Sequence, residues 1–299
     1  MTLAIFQGIH LSFILDWIFI IGIVILTIPI NIISPFERLF NIEDETISYP
    51  YKEKETFTIF GLAVSVIGIP AVIMTLYHLF KKELKYSFHQ TIMGYCVSVT
   101  LALFVTSIIK VSVGRYRPDF ISRCRVNLTK VEETYIKYNI SKEINYGPRN
   151  LYDTSICTNK DKSLIDEGRK SFPSGHTSFA FSSLTYTSLF LAGKLHLCDG
   201  NFVFWKLFIV ILPNLFALYI ALTRVSDYRH HWQDVLVGAI IGIIFSLISY
   251  FYYFPYLNSE EPYKPLPGRL KKYNLFHEQS AKTLPVFRDR DSEVTNINE

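Results

Sequence analysis

Charge is scarce in this chain. Asp, Glu, Lys and Arg make up 19% of its 299 residues, less than a soluble globule of that length normally carries. The net charge of +4 is too small to argue for a nucleic-acid partner, and no zinc-finger spacing, recognition-helix signature or basic–aromatic repeat occurs. Cysteine is sparse as well: Cys96, Cys124, Cys157 and Cys198 are four residues whose number alone decides nothing. Nothing at the amino terminus reads as a cleavable leader either. The first apolar segment has neither a basic leading region nor a small-residue cleavage site, so it reads as a retained span.

What the chain has instead is apolar sequence in blocks. Hydrophobic residues make up 49% of it, with 24 Phe and 19 Tyr, a supply that suits interfacial belts or large aromatic cores. Near-continuous apolar stretches of about twenty residues occur at 13–33, 59–80, 91–109, 178–197, 203–222 and 235–257, each long enough to cross a hydrocarbon core as helix. Buried helices of a large soluble protein are the plain alternative, but little polar sequence separates the six. The expected fold class is therefore all-α: a six-span integral membrane bundle over residues 1–257, followed by a flexible tail at 258–299 with balanced charge and Pro262, Pro265 and Pro267.

Short connections give a sidedness. Lys81, Lys82 and Lys85 outnumber Glu83 after the second span, which places that link in the cytoplasm. Alternation then puts both termini on the cytoplasmic side and the 34–58, 110–177 and 223–234 connections on the lumenal or exterior side. Cys124 and Cys157 both fall in the long outward connection, where an oxidising compartment would let them pair; Cys96 and Cys198 are expected to stay free. The acceptor sequences at Asn127 and Asn139 fall in the same connection.

Three polar clusters interrupt the apolar blocks. "KVSVGRYRPD" at the end of the third span supplies Lys110, Arg115 and Arg117. Lys110 and Arg117 share a helical face if the helix reaches that far, although Pro118 biases Arg117 out of it. Snorkelling anchors would explain such cations equally well. "KSFPSGHTSF" opens the fourth span, where Ser174, Gly175 and His176 would offer a hydroxyl, an exposed amide and an imidazole at a helix start, or simply cap it. "TRVSDYRHHWQD" precedes the sixth span. There His230 and Asp234, four apart on a helix, would let the carboxylate hold one ring nitrogen and leave the other as base or nucleophile.

Topology brings all three clusters to the outer face. Lys110, Arg117, Arg224, Ser174, two histidines and Asp234 make a cationic pocket that wants an anion such as phosphate. Zinc held by His176, by His230 or His231 and by an aspartate competes with that reading, against the repulsion of three neighbouring cations. A transporter is the other rival, but the polar residues sit at the rim and not at mid-span.

The motifs, their order and their spacing resemble the type 2 phosphatidic acid phosphatases, or lipid phosphate phosphatases, which share a core with vanadium-dependent haloperoxidases. The matching positions are Lys110 with Arg117-Pro118, Pro173 to His176, and Thr223-Arg224 with His230 and Asp234, within a core at 91–250. Thr223 stands where the family usually has serine and keeps the hydroxyl. "PFERLF" at 35–40, "RPDF" and "DYRHH" further resemble the fungal diacylglycerol pyrophosphate phosphatases.

The resemblance implies roles. His230 would be the nucleophile, Asp234 its orienting carboxylate and His176 the general acid and base. Lys110, Arg117, Ser174, Gly175 and Arg224 would hold the phosphate. It leaves Arg115, Arg229 and His231 to the pocket wall and local field. It implies no cofactor and no metal. The partner would be a membrane phospholipid: diacylglycerol pyrophosphate, phosphatidate or lysophosphatidate. Polyprenyl diphosphates and sphingoid phosphates remain alternatives, as does a non-catalytic transporter or scaffold. The expected location is a Golgi, vacuolar, endoplasmic-reticulum or plasma membrane with the site on the lumenal or exterior side, and self-association is compatible with it.

Overall fold

The computed structural model describes residues 2–81, 85–133, 151–201 and 203–268, with side chains described from Phe13. Contacts divide the chain into two units. Trp17–Pro265 carries the helical bundle and the candidate site, and the described part of the other unit is 2–16 and 266–268. Within that second unit the described residues include the first turns of helix α1.

The described residues include helices α1 (Thr2–Ile32), α2 (Ile59–Lys81, with a π turn at Val64–Gly68), α3 (Lys85–Val113), α4 (Phe120–Cys124), α5 (Lys162–Gly168), α6 (Gly175–Lys194), α7 (Phe204–Ser226) and α8 (Trp232–Tyr253). No strand occurs among the described residues, which agrees with the all-α expectation. Isolated bridges join Phe40 to Tyr152 and Val126 to Cys157.

Five helices among the described residues are long and apolar enough to cross a membrane: α1 from Phe13, α2, α3 from Tyr86, α7 and α8. They leave large apolar side chains uncovered, including Phe19, Phe60, Phe80, Phe204 and Tyr252. Hydrocarbon covers such a surface, whereas water would oppose it.

The expected span at 178–197 behaves differently. Helix α6 is rich in hydroxyls, and Thr177, Ser178, Ser182, Ser183, Thr185, Thr187 and Ser188 are all buried. It packs against α2, α3, α7 and α8, so its surface meets protein. Its hydroxyls bond across to its neighbours: Ser183 Oγ donates to Val66 O at 2.7 Å and Thr185 Oγ1 to Asn214 Oδ1 at 2.7 Å. Small side chains allow this close packing. On α8, a Cβ at Gly238 would stand 2.7 Å from Ser174 O, and one at Gly242 2.6 Å from Ser178 O, so only glycine lets the two helices meet.

Polar caps, which hydropathy does not register, set the helix limits. Ser174 caps α6, and His231 stands at the cap of α8, where its amide donates to Asp234 Oδ2 at 3.0 Å. His230 therefore precedes the helix that carries Asp234, and the pair does not face along one helix as the spacing predicts. Helix α3 ends at Val113, and Gly114 (φ +58°) turns the chain. A Cβ on Gly114 would fall 1.9 Å from Phe36 O. Arg117 lies past that turn, so it shares no helical face with Lys110; Pro118 outweighs the seven-residue spacing.

Outside the bundle a small second core of Phe40, Ile47, Tyr116, Phe120, Tyr152 and Ile156 joins the 34–58 and 110–177 connections. The Cys124–Cys157 disulfide closes that layer, while Cys96 and Cys198 are free thiols, as expected. Asn127 uses its side-chain oxygen to accept from the Thr129 amide at 3.0 Å; Asn139 lies outside the described residues. The expected tail is described to residue 268, and its first part returns to the end of α6, with the Tyr263 ring 4.8 Å from that of His196.

Candidate active site

Four helix ends build the site. Helices α3 and α7 end in Lys110 and Arg224, while α6 and α8 begin beside His176 and Asp234. Backbone bonds lock these ends together: Ser174 N donates to Asp234 O at 2.9 Å and His230 N to Arg224 O at 3.2 Å. Lys110 Nζ sits where a Cβ on Gly175 would be 3.1 Å away, so the glycine makes room for the ammonium. Arg224, His230, Lys110 and Arg117 all act electrostatically on His176. The sequence-predicted residues are thus brought together.

Their hydrogen bonds divide them into occupied and open groups. Arg224, 1% exposed, donates to Glu55 Oε2 at 2.7 Å, to Asp227 Oδ2 at 3.1 Å and to Thr223 Oγ1 at 3.2 Å. The Thr223 hydroxyl is therefore used as a local acceptor. Arg117 pairs with Glu167 through Nη2, and its Nε is buried without a partner. His176 Nε2 is likewise buried without a partner. Ser174 Oγ accepts from Thr177 Oγ1 at 2.9 Å and from Thr177 N at 3.4 Å, the capping arrangement.

His230 is 3% exposed, and its Nδ1 lies 2.7 Å from Ser171 O, against 3.9 Å from Asp234 Oδ2. Asp234 holds other partners: Arg115 Nη1 at 2.7 Å on Oδ1, and Ser171 Oγ at 2.6 Å with His231 N at 3.0 Å on Oδ2. His230 Nδ1 thus lies nearer to the Ser171 carbonyl than to the Asp234 carboxylate. Burial pulls the His230 imidazole down to about 4; Asp234 opposes that shift and Arg117 and Lys110 add to it. The ring is therefore neutral at neutral pH.

The 34–58 connection also contributes, although no sequence pattern ties it to the site. Asp227, fully buried, accepts from Lys52 Nζ at 2.5 Å and from Thr56 N and Oγ1 at 2.7 Å each. Burial alone would raise its carboxyl, but Lys52, Thr56 and Arg224 hold it below the usual range. Glu55 bridges Arg224 and, at 3.3 Å, Arg229. The Arg123 and Arg229 guanidiniums both stack over the Tyr51 ring, each 4.7 Å from its centroid. On the other side Glu167 is half exposed. Burial opposes its ionisation, yet Arg117, then Lys110 and Lys170, hold it at about 2.

Asp227 was within reach of sequence reasoning, three residues after Arg224 in the same polar stretch. Glu55, Lys52 and Thr56 were not, because nothing in the sequence ties them to a cluster some 170 residues away. Among the described residues no group of three His, Cys, Asp or Glu is placed to hold a metal ion.

A bundle of long apolar helices thus gathers a lysine, arginines and two histidines at one end, a set whose charge suits an anion. The chain belongs to the PAP2 superfamily, whose model matches residues 91–257. It is 35% identical over 251 residues to lipid phosphate phosphatase 2 of Arabidopsis thaliana, covering 84% of this chain and 78% of that protein. Lipid phosphate phosphatase 1 of the same plant is 33% identical over 283 residues, covering 93% and 77%. Diacylglycerol pyrophosphate phosphatase 1 of Saccharomyces cerevisiae is 30% identical over 261 residues, covering 84% and 83%. No solved structure matches the chain.

Proposed function

We propose that this protein removes the terminal phosphate from membrane lipids such as diacylglycerol pyrophosphate, phosphatidate and lysophosphatidate, without a metal ion. The observation that carries the reading is a pair of buried, unpartnered polar atoms, Arg117 Nε and His176 Nε2, beside Lys110 and the start of α6. An orphaned buried donor costs about 1–3 kcal/mol, which a phosphate oxygen would recover.

In this reading Lys110, Arg117, Arg224 and the first amides of α6 at Gly175 and His176 meet the phosphate charge, with the Ser174 hydroxyl beside them. His230 Nε2 attacks phosphorus. A phosphorus–nitrogen bond forms as the bond to the leaving oxygen breaks, and that oxygen keeps the electron pair. His176 gives it a proton. Water then attacks the phosphohistidine, giving its proton to the His176 base, and inorganic phosphate departs with His230 restored.

The chain would cross the membrane six times, α6 serving as the inner span. One catalytic domain at 1–257 would precede a cytoplasmic tail at 258–299, and the site would face the lumen or exterior of an endomembrane or the plasma membrane. Phosphate release from purified protein in detergent micelles with EDTA tests the reading. Diacylglycerol pyrophosphate, phosphatidate, a sphingoid phosphate and a polyprenyl diphosphate are compared beside His230→Ala. Release that survives EDTA and vanishes in the variant is expected, and activity that persists in His230→Ala would refute the nucleophile.

A further inference from the structure

We propose that Ser171 is the positioning residue through which Asp234 controls His230; the inference rests on the phosphoryl-transfer reading above and deepens it. A carbonyl oxygen has no proton to give, so the 2.7 Å contact between Ser171 O and His230 Nδ1 makes Nδ1 the donor. The lone pair of the ring is then on Nε2, the atom that has to reach phosphorus. The tautomer of the nucleophile is set by a backbone carbonyl.

Asp234 does not perform that task itself. Its nearer oxygen stays 3.9 Å from Nδ1 and already accepts from Ser171 Oγ, His231 N and, at 3.3 Å, His231 Nδ1. Its other oxygen is taken by Arg115. What Asp234 does hold is Ser171, through the 2.6 Å hydroxyl bond. The Ser171 amide donates in turn to Arg115 O at 3.0 Å.

Ser171, with no exposed surface, thus has its amide, hydroxyl and carbonyl all engaged. Arg115, Ser171 and Asp234 form a closed ring of bonds from which a single carbonyl projects onto the imidazole. Alanine at 171 would keep the carbonyl and lose the bond that fixes its direction. Ser171 precedes the Pro173–His176 motif by two residues, so this coupling also ties the phosphate-binding turn to the nucleophile.

The test uses the full chain in detergent micelles, with phosphatidate labelled in its phosphate. Steady-state turnover and rapid-quench formation of phosphoenzyme are measured for Ser171→Ala, Asp234→Asn, the double variant and Ser171→Thr. Ser171→Ala is expected to lower kcat and phosphoenzyme formation about 10- to 100-fold while KM changes by less than about threefold. The double variant should fall no more than about threefold below the weaker single, and threonine should restore most of the rate.

A Ser171→Ala enzyme within about twofold of wild type would overturn the proposal. So would losses that multiply in the double variant, because Asp234 would then act on His230 by another route. If Ser171→Ala is not recovered folded, Ser171→Cys takes its place with the same two outcomes. His230→Ala runs alongside. Turnover in that variant removes the phosphohistidine reading, whereas an inactive His230→Ala beside an unaffected Ser171→Ala removes the relay alone.

Discussion

Gly238→Ala tests whether the packing of α6 on α8 sets the chemistry. The added Cβ would lie 2.7 Å from Ser174 O and 3.2 Å from Thr177 Cβ, and ordinary contact begins near 3.4 Å. Because the obstacle is backbone, the helices have to separate by about 0.7 Å. That shift opens the 2.9 Å bond from Ser174 N to Asp234 O and disturbs the 2.6 Å bond from Ser171 Oγ to Asp234. Misplacement by 1 Å costs on the order of 100-fold in rate, so this change should lower kcat roughly 10- to 50-fold. Overpacking of this kind destabilises by about 1–3 kcal/mol, which thermal unfolding in micelles would register as a lower midpoint. Gly22→Ala is the matched control, since a Cβ there meets nothing within 4 Å. Wild-type rate and midpoint in Gly238→Ala would refute the argument that helix contact positions the two motifs.

Other outcomes follow from single groups. His230 has a folded value of about 4 against 6.5 unfolded, so its neutral burial stabilises the protein fully above pH 6.5, and that contribution is lost as pH falls toward 4. Its size is about 3 kcal/mol, and His230→Gln should flatten that part of a stability–pH curve measured by denaturation. Arg117→Lys keeps the charge but loses the planar fork and the buried Nε, so KM for phosphatidate should rise about 10- to 100-fold; an unchanged KM would remove Arg117 from the phosphate site. Cys124→Ser opens a loop closed over a separation of 33 residues and should cost about 3–4 kcal/mol by chain entropy, read as a lowered unfolding midpoint under non-reducing conditions.

The motifs and the long apolar helices were legible because both are local patterns. Lys110, Arg117, His176 and His230 could be placed from spacing and topology, and the Cys124–Cys157 pair from compartment and position. Helix α6 was legible as a helix but not as the inner one, since burial inside a bundle depends on its neighbours and not on its own hydropathy. The four-residue spacing of His230 and Asp234 misled for a related reason: the cap at His231 decides where the helix starts. Ser171 was invisible in its role because a backbone carbonyl has no side-chain signature. Glu55 and Lys52 were invisible because a pairing across a long separation leaves no period in the sequence.

The loop that carries Tyr51, Lys52, Glu55 and Thr56 lies before residue 91, where the family match begins. The catalytic module is therefore not self-sufficient. A version trimmed to the matched segment would take Glu55 from Arg224 and Arg229 and Lys52 from Asp227, leaving Arg224 and Asp227 to each other and Arg229 to Asp119, and removing a partner from a buried ion is destabilising. Chimeras between relatives would accordingly work only when residues 51–56 travel with the core they neutralise, and a substitution in that loop would be felt as a defect of the distant arginines.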